Sequence, residues 1–185
     1  MHAPLMRPRT RAGTRPMPSA TPPAAPLPHD LPQAIPPNAS FAAGDLLEAP
    51  ADAICNPVNL VGVMGRGLAL QFRTRWPASY RAYRAALRSG RLRSGRVHAH
   101  PLPDGRHVLH CPTKDHWRER SSITLVRATI DAIGPCCIRH GIRSVAVPPL
   151  GCGLGGLDWT VVRALLLDAA ARRPELRWIL YGPAH

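Results

Sequence analysis

Ser144-Val145-Ala146-Val147-Pro148-Pro149-Leu150-Gly151-Cys152-Gly153-Leu154-Gly155-Gly156 passes from a short valine-rich run into a loop with four glycines in six residues. Downstream, apolar residues recur at helical spacing from Trp159 to Arg172, and Leu176 to Tyr181 forms a brief apolar run. A strand, a glycine loop, a helix and a strand in succession argue for parallel strands in a helix-covered sheet. Glycines placed just beyond a strand let main-chain N–H groups approach and cradle a phosphate. They also let a helix pack closely on a strand, and the loop alone does not separate the two uses. Gly151, Gly153 and Gly156 match the G-x-G-x-x-G spacing, a weak signal in isolation. A dinucleotide fold fits poorly, because fewer than 30 residues follow and Glu175 precedes its strand instead of ending it.

Working upstream, the same alternation repeats. Ala53-Ile54-Cys55-Asn56 is predicted as a short buried strand. It leads into a second glycine-bearing loop, Val58 to Gly67, and a helix with Leu68, Ala69 and Phe72 inward. Pro77 suits the first turn of the next helix, Tyr80, Tyr83 and Leu87 share one face of it, and Gly90 stops it. Arg96–Leu102 and His107–Cys111 read as strands joined around Pro103-Asp104-Gly105. Residues 121–140 read as a helix opened by Ser121 or Ser122, which Gly134-Pro135 should kink or split. The expected fold is α/β: a mainly parallel sheet covered on both faces.

Residues 1–38 are of different composition. They hold eleven of the 22 prolines and no aromatic residue. Such a stretch cannot bury enough apolar area to offset its ordering entropy, so it is expected to be a disordered tail, with the folded domain at 39–185. No apolar run is long enough to span a bilayer, and the N-terminus lacks the apolar core of a secretory signal. The five cysteines, Cys55, Cys111, Cys136, Cys137 and Cys152, form no C-x-x-C pair. They read as reduced, mostly buried thiols of a cytoplasmic protein, with no metal and no cofactor expected. No Ser-His-Asp arrangement or P-loop stands out.

The formal net charge is +13, which suits polyanionic partners or simply an arginine-rich proteome; charge alone does not decide between them. Of the 24 basic residues only Lys114 is a lysine. In a chain that uses arginine for generic cations, a retained lysine is either a chance survivor on a solvated surface or a group doing chemistry guanidinium cannot do. An amine can lose its proton and act as nucleophile or base. Lys114 sits in Cys111-Pro112-Thr113-Lys114-Asp115-His116-Trp117, beyond a predicted strand. Ligands of open α/β sheets bind beyond the carboxyl ends of the strands. There the segment Asn56–Gly67, the lysine loop and the loop Pro149–Gly156 would meet. Asp115 would orient Lys114 or hold it protonated, while His116 and Trp117 stand beside it as accessory groups or as solvated and core residues. Asp158 reads as a helix cap. Asp45, after Gly44, would accept from an exocyclic amine or cap a turn.

Several of these stretches together resemble the macrodomain family. They are Gly44-Asp45-Leu46-Leu47, Asn56-Pro57-Val58-Asn59, Gly62-Val63-Met64-Gly65-Arg66-Gly67-Leu68-Ala69-Leu70-Gln71-Phe72, Pro112-Thr113-Lys114 with His116-Trp117-Arg118, and Pro148 to Trp159. The likeness covers about residues 40–183 and is greatest to the DarG-type branch, related to the terminal ADP-ribose protein glycohydrolase. It implies a three-layer α/β/α fold with a mixed, mainly parallel sheet, and a cleft for ADP-ribose. By this resemblance Asp45, with Leu46, would recognise the adenine amine and Tyr181 would lie near the base. Asn59 would meet the distal ribose, and Asn56 and Thr113 would be further ADP-ribose contacts. Gly62, Val63, Met64, Gly65 and Gly67, with Gly151, Cys152, Gly153, Leu154 and Gly155, would wrap the diphosphate and distal ribose. Lys114 matches the family's catalytic lysine.

The implied activity is removal of ADP-ribose from DNA bases, thymidine-type linkages above all, with a DarT-type toxin as functional counterpart. Hydrolysis of ester-linked ADP-ribose on protein glutamate, and binding without turnover, are the alternatives. Lys114 would attack the anomeric carbon as a free amine, or stabilise charge as an ammonium; the residues leave both open. The protein glycohydrolase carries an aspartate where this chain has Gly155, which favours the DNA substrate. Asp115 stands where DarG-type chains often carry a basic residue, and Pro57 and Leu60 also depart from the pattern. Full DarG proteins continue into a toxin-engaging domain, so direct toxin binding is not expected of the sequence as given.

Overall fold

The computed structural model describes residues 34–183. Six strands form one sheet: β1 (Ala39–Ala42), β2 (Ala53–Asn59), β3 (His98–Pro101), β4 (His107–Lys114), β5 (Ser144–Val147) and β6 (Arg177–Tyr181). Their order is β1-β6-β5-β2-β4-β3. Every neighbouring pair is parallel except the β3–β4 hairpin. Four helices cover it: α1 (Gly67–Arg75), α2 (Pro77–Arg88), α3 (Ile123–Arg139) and α4 (Trp159–Ala171).

The two-residue period of the strands sorts the core into layers. Cys55, Leu109, Val145, Val147, Trp178 and Leu180 pack with buried residues of α3 and α4. The alternate positions Ile54, Val108, Ala146 and Ile179 pack on the other face with Phe72 of α1 and with Leu46 and Leu47. Val58 joins Tyr83 and Ala86 of α2 in a smaller cluster. All four central strands therefore carry apolar residues on both faces, as a covered parallel sheet requires. Cys55, Cys111, Cys136 and Cys137 are buried, unbridged thiols, and Cys152 is half-buried.

Helix starts follow local chemistry. Ser122 caps α3 through Leu125 N, Asp158 caps α4 through Thr160 N, and Pro77 opens α2. Gly90, at φ 68°, ends α2.

Four expectations need correction. The helix at 123–139 is not split at Gly134-Pro135 but runs through both. Gly134 lacks the Cβ that would crowd the proline ring, and the same absence seats the Arg173 side chain, whose Cγ would lie 2.9 Å from a Cβ there. Strand β2 continues past Asn56 through Pro57 to Asn59. Its pairing with β5 ends at Ile54, so the missing N–H of Pro57 breaks no ladder on that side. A strand at Ala39–Ala42, pairing with β6, was not anticipated. Asn38, assigned to the tail, is bound into the fold. Its amide Nδ2 lies 2.8–3.0 Å from the carbonyls of Ala170, Arg173 and Leu176, at the end of α4 and the turn that follows it. Residues 1–33 of the expected tail lie outside the described residues. No helix among the described residues is long and apolar enough to cross a membrane.

Candidate functional site

Strands β2 and β4 end side by side, with Asn59 opposite Lys114 in register. The ladder slips between Val58 and Asn59. Leu60 N then donates to the carbonyls of Lys114 and Asp115, both at 3.1 Å. Asn59 organises the loop that follows. Its Oδ1 accepts from Val61 N and Val63 N at 3.2 Å, and its Nδ2 donates to Val63 O at 2.6 Å. Helix α2 fastens the loop from behind: the Tyr83 hydroxyl donates to Asn59 O at 2.7 Å and the Tyr80 hydroxyl to Gly62 O at 3.1 Å. Gly62, at φ 85°, supplies the turn. Asn59 therefore acts first as a scaffold for the glycine loop, a role its sequence context did not signal.

The loop after β5 folds on itself through Cys152 N to Pro149 O, Gly156 N to Gly153 O and Leu157 N to Gly151 O, each at 3.0 Å. Gly155 sits against the carbonyl of Gly151 and the hydroxyl of Ser121, and a Cβ there would collide with both. Ser121 N donates to Gly155 O at 3.0 Å, tying this loop to the start of α3. Lys114 Nζ donates to Leu154 O at 2.6 Å. A Cβ on Gly67 would lie 3.5 Å from Leu154 Cδ1, so the two glycine loops face each other at close range.

Between them lies a cavity of about 340 Å³, within the size range of small-molecule sites. Of the residues anticipated from sequence, Asn59, Val63, Gly65, Gly67, Thr113, Lys114, Trp117, Gly151, Gly153, Leu154 and Gly155 line it. Arg66 and Ser121 line it as well and were not anticipated. Arg66 stood inside a quoted glycine motif, and Ser121 had been weighed only as a helix cap.

Other anticipated residues lie elsewhere. Asn56 and Met64 belong beneath the loop: Asn56 is fully buried with Nδ2 3.7 Å from Met64 Sδ, and Met64 is almost fully enclosed. Gly62 bears on α2 instead of the cavity. The Cys152 thiol points to Leu150 O, and burial, helped by the Asp158 charge, pushes it up to about 11. A thiol held protonated in this way is not a nucleophile. Asp115 and His116 flank the cavity without lining it. Among the described residues no carboxylate forms an ion pair with Lys114.

Asp45, Leu46 and Tyr181 form a separate group where β6 ends. Leu46 and Tyr181 share one apolar cluster. Asp45 Oδ1 accepts from Leu47 N at 2.9 Å, capping a single 3-10 turn. Burial, with the Asp45 charge adding to it, pushes the Tyr181 phenol above its usual value. The group stands at the same carboxyl edge of the sheet as Lys114, two strands removed from β2. Among the described residues no group of three or more His, Cys, Asp or Glu side chains is placed to hold a metal ion.

A three-layer α/β/α domain with a glycine-walled cleft at the carboxyl edge of its sheet is a ligand-binding fold. The chain belongs to the macro domain family, whose model matches residues 55–166. It is 39% identical over 148 residues to a DNA ADP-ribosyl glycohydrolase of Mycobacterium tuberculosis, a match covering 78% of this chain and 42% of that protein. The chain spans about two-fifths of the length of such curated relatives. Among solved structures it is similar to the macrodomain of Mycobacterium tuberculosis DarG, with a TM-score of 0.75 at 39% identity, covering 79% of this chain and 98% of that one. It is also similar to Thermosipho africanus DarTG in complex with ADP-ribose, with a TM-score of 0.75 at 30% identity, covering 80% of this chain and 42% of that one.

Proposed function

We propose that this chain is an ADP-ribosyl glycohydrolase that releases ADP-ribose from modified DNA bases, with Lys114 acting at the glycosidic bond. One observation carries the reading. The only lysine of the chain closes a cavity walled by two glycine loops, its amine held 2.6 Å from a main-chain carbonyl of one of them. The matched proteins supply the chemistry: one is named for ADP-ribose removal from DNA and another was solved with ADP-ribose bound.

In this reading the loops at 62–67 and 151–155 wrap the diphosphate and distal ribose with main-chain N–H groups. The anomeric carbon then faces Lys114. Asp45, Leu46 and Tyr181 receive the adenine. Gly155 favours DNA over glutamate as the source of ADP-ribose, because its crowded Cα leaves no space for the carboxylate that the glutamate-type enzyme carries there. The charge of +13 suits a nucleic-acid substrate. The functional counterpart is a transferase of the DarT type that places ADP-ribose on DNA.

The deciding experiment compares two substrates. ADP-ribosylated thymidine in a single-stranded oligonucleotide should be cleaved, and more slowly as salt rises. Release from glutamate-modified protein with none from the oligonucleotide would overturn the reading.

A further inference from the structure

We infer that His116, Trp117 and Arg118 form a stacking platform for the single-stranded DNA beside the modified nucleotide, a reading that rests on the DNA substrate proposed above. Trp117 lines the cavity, yet its residue is 43% exposed. An indole is usually well buried, and one left at the mouth of a pocket marks a contact surface. Its ring stacks with His116 at 5.4 Å and 29°, and the guanidinium of Arg118 lies 4.5 Å from its centroid. Three flat π groups therefore run together along the rim, next to Lys114. Their conformation is fixed locally, since His116 Nδ1 accepts from Arg118 N at 3.2 Å.

Nothing in the release of ADP-ribose from a small leaving group needs such a surface. A DNA strand does need one. Its bases present π faces of every sequence, and stacking on an aromatic residue holds them without reading sequence. The rim also matches the strand in charge. Arg66 lines the cavity, and Arg120 donates to Gly156 O at 3.3 Å beside the second glycine loop. Neither Asp115 nor Glu119 forms an ion pair with Arg66, Arg118 or Arg120 among the described residues. These guanidinium groups remain available to phosphates on either side of the modified nucleotide.

The test measures kcat/KM on ADP-ribosylated thymidine as the nucleoside, on the same base within a short single-stranded oligonucleotide, and on glutamate-modified protein. Trp117→Ala should lower the oligonucleotide value about tenfold, mainly through KM, and lower the oligonucleotide-to-nucleoside ratio with it. Trp117→Phe should restore most of that ratio, and Arg118→Ala should lower it by a smaller factor. Equal losses on nucleoside and oligonucleotide would overturn the platform and leave Trp117 as cavity wall. So would an unchanged oligonucleotide value, or a loss confined to the protein substrate. If the wild-type chain releases nothing from either thymidine substrate, the DNA reading itself fails, an outcome distinct from a failure of the platform alone.

Discussion

The amine of Lys114 and the carbonyl of Leu154, forty residues apart, are joined by a hydrogen bond of 2.6 Å. The contact links the end of β4 to the glycine loop after β5. Its acceptor is main chain, so the loop's path, and not the identity of a side chain, sets where the amine sits. That path depends in turn on Gly151 at φ 75° and on the crowded Cα of Gly155. The position of the only lysine is thus a consequence of loop geometry.

Gly155→Ala should therefore be costly. A methyl there meets the Gly151 carbonyl and the Ser121 hydroxyl, and overpacking of this kind costs about 1–3 kcal/mol. Thermal unfolding should show a clear drop in Tm. Gly153→Ala is the control, since a Cβ at 153 meets nothing within 4 Å and the residue is not in the left-handed region. Its Tm should match the wild type. Gly155→Asp should be as destabilised as Gly155→Ala, so the glutamate-type carboxylate cannot simply be grafted in.

Asn59 should prove structural as well as proximal to ligand. Asn59→Ala strips partners from Val61 N, Val63 N and Val63 O and leaves the Tyr83 hydroxyl one acceptor short. Lost hydrogen bonds at a largely buried site cost about 1–3 kcal/mol. Denaturant unfolding should show that loss, and titration calorimetry should show weaker ADP-ribose binding as the first loop loosens. Tyr83→Phe keeps the side-chain clamp of Asn59 and should lose only about 1 kcal/mol.

Acid should unfold this domain earlier than its carboxylates require. Burial, then the nearby His98 and His100, hold the fully buried His110 neutral and lower it from 6.5 to about 3; His98 is lowered to about 4 by burial and by Arg91. Folded values below the unfolded one mean that the unfolded chain binds more protons in the window between them. Stability therefore rises with pH from about 4 to 6.5 and is lost on acidification through it, by up to about 1.4 kcal/mol per pH unit for the fully buried His110, with a smaller, solvent-screened share from His98. Urea unfolding across this range should show the slope. His110→Gln should flatten it.

Much of the site was legible because its chemistry is local. A β-rich run followed by a loop of functional groups marks a strand end, and this pattern puts the segments 56–67, 111–117 and 149–156 at one sheet edge. The lone lysine stood out by composition. What stayed hidden depends on tertiary packing. Asn56 and Met64 read as ligand contacts, yet Asn56 is a buried position of β2 and Met64 packs in the apolar cluster beside α2, each enclosed against the other. Ala39-Ser40-Phe41-Ala42 has no alternation to announce a strand, and it pairs only because β6 offers an open edge. Pro135 reads as a helix breaker from sequence alone, but a preceding glycine removes the clash. Arg66 lay inside a glycine motif and Ser121 read as a helix cap, so neither pattern pointed to the cavity wall that both form in the fold.

The central claim is that the Lys114 amine acts on the bond between ADP-ribose and the base. Single-turnover release from an ADP-ribosylated thymidine oligonucleotide, followed beside calorimetric ADP-ribose binding, tests it most directly. Lys114→Arg and Lys114→Ala should slow release by at least about a hundredfold, while both variants still bind ADP-ribose within a few-fold of the wild type. Release at the wild-type rate by either variant would contradict the account.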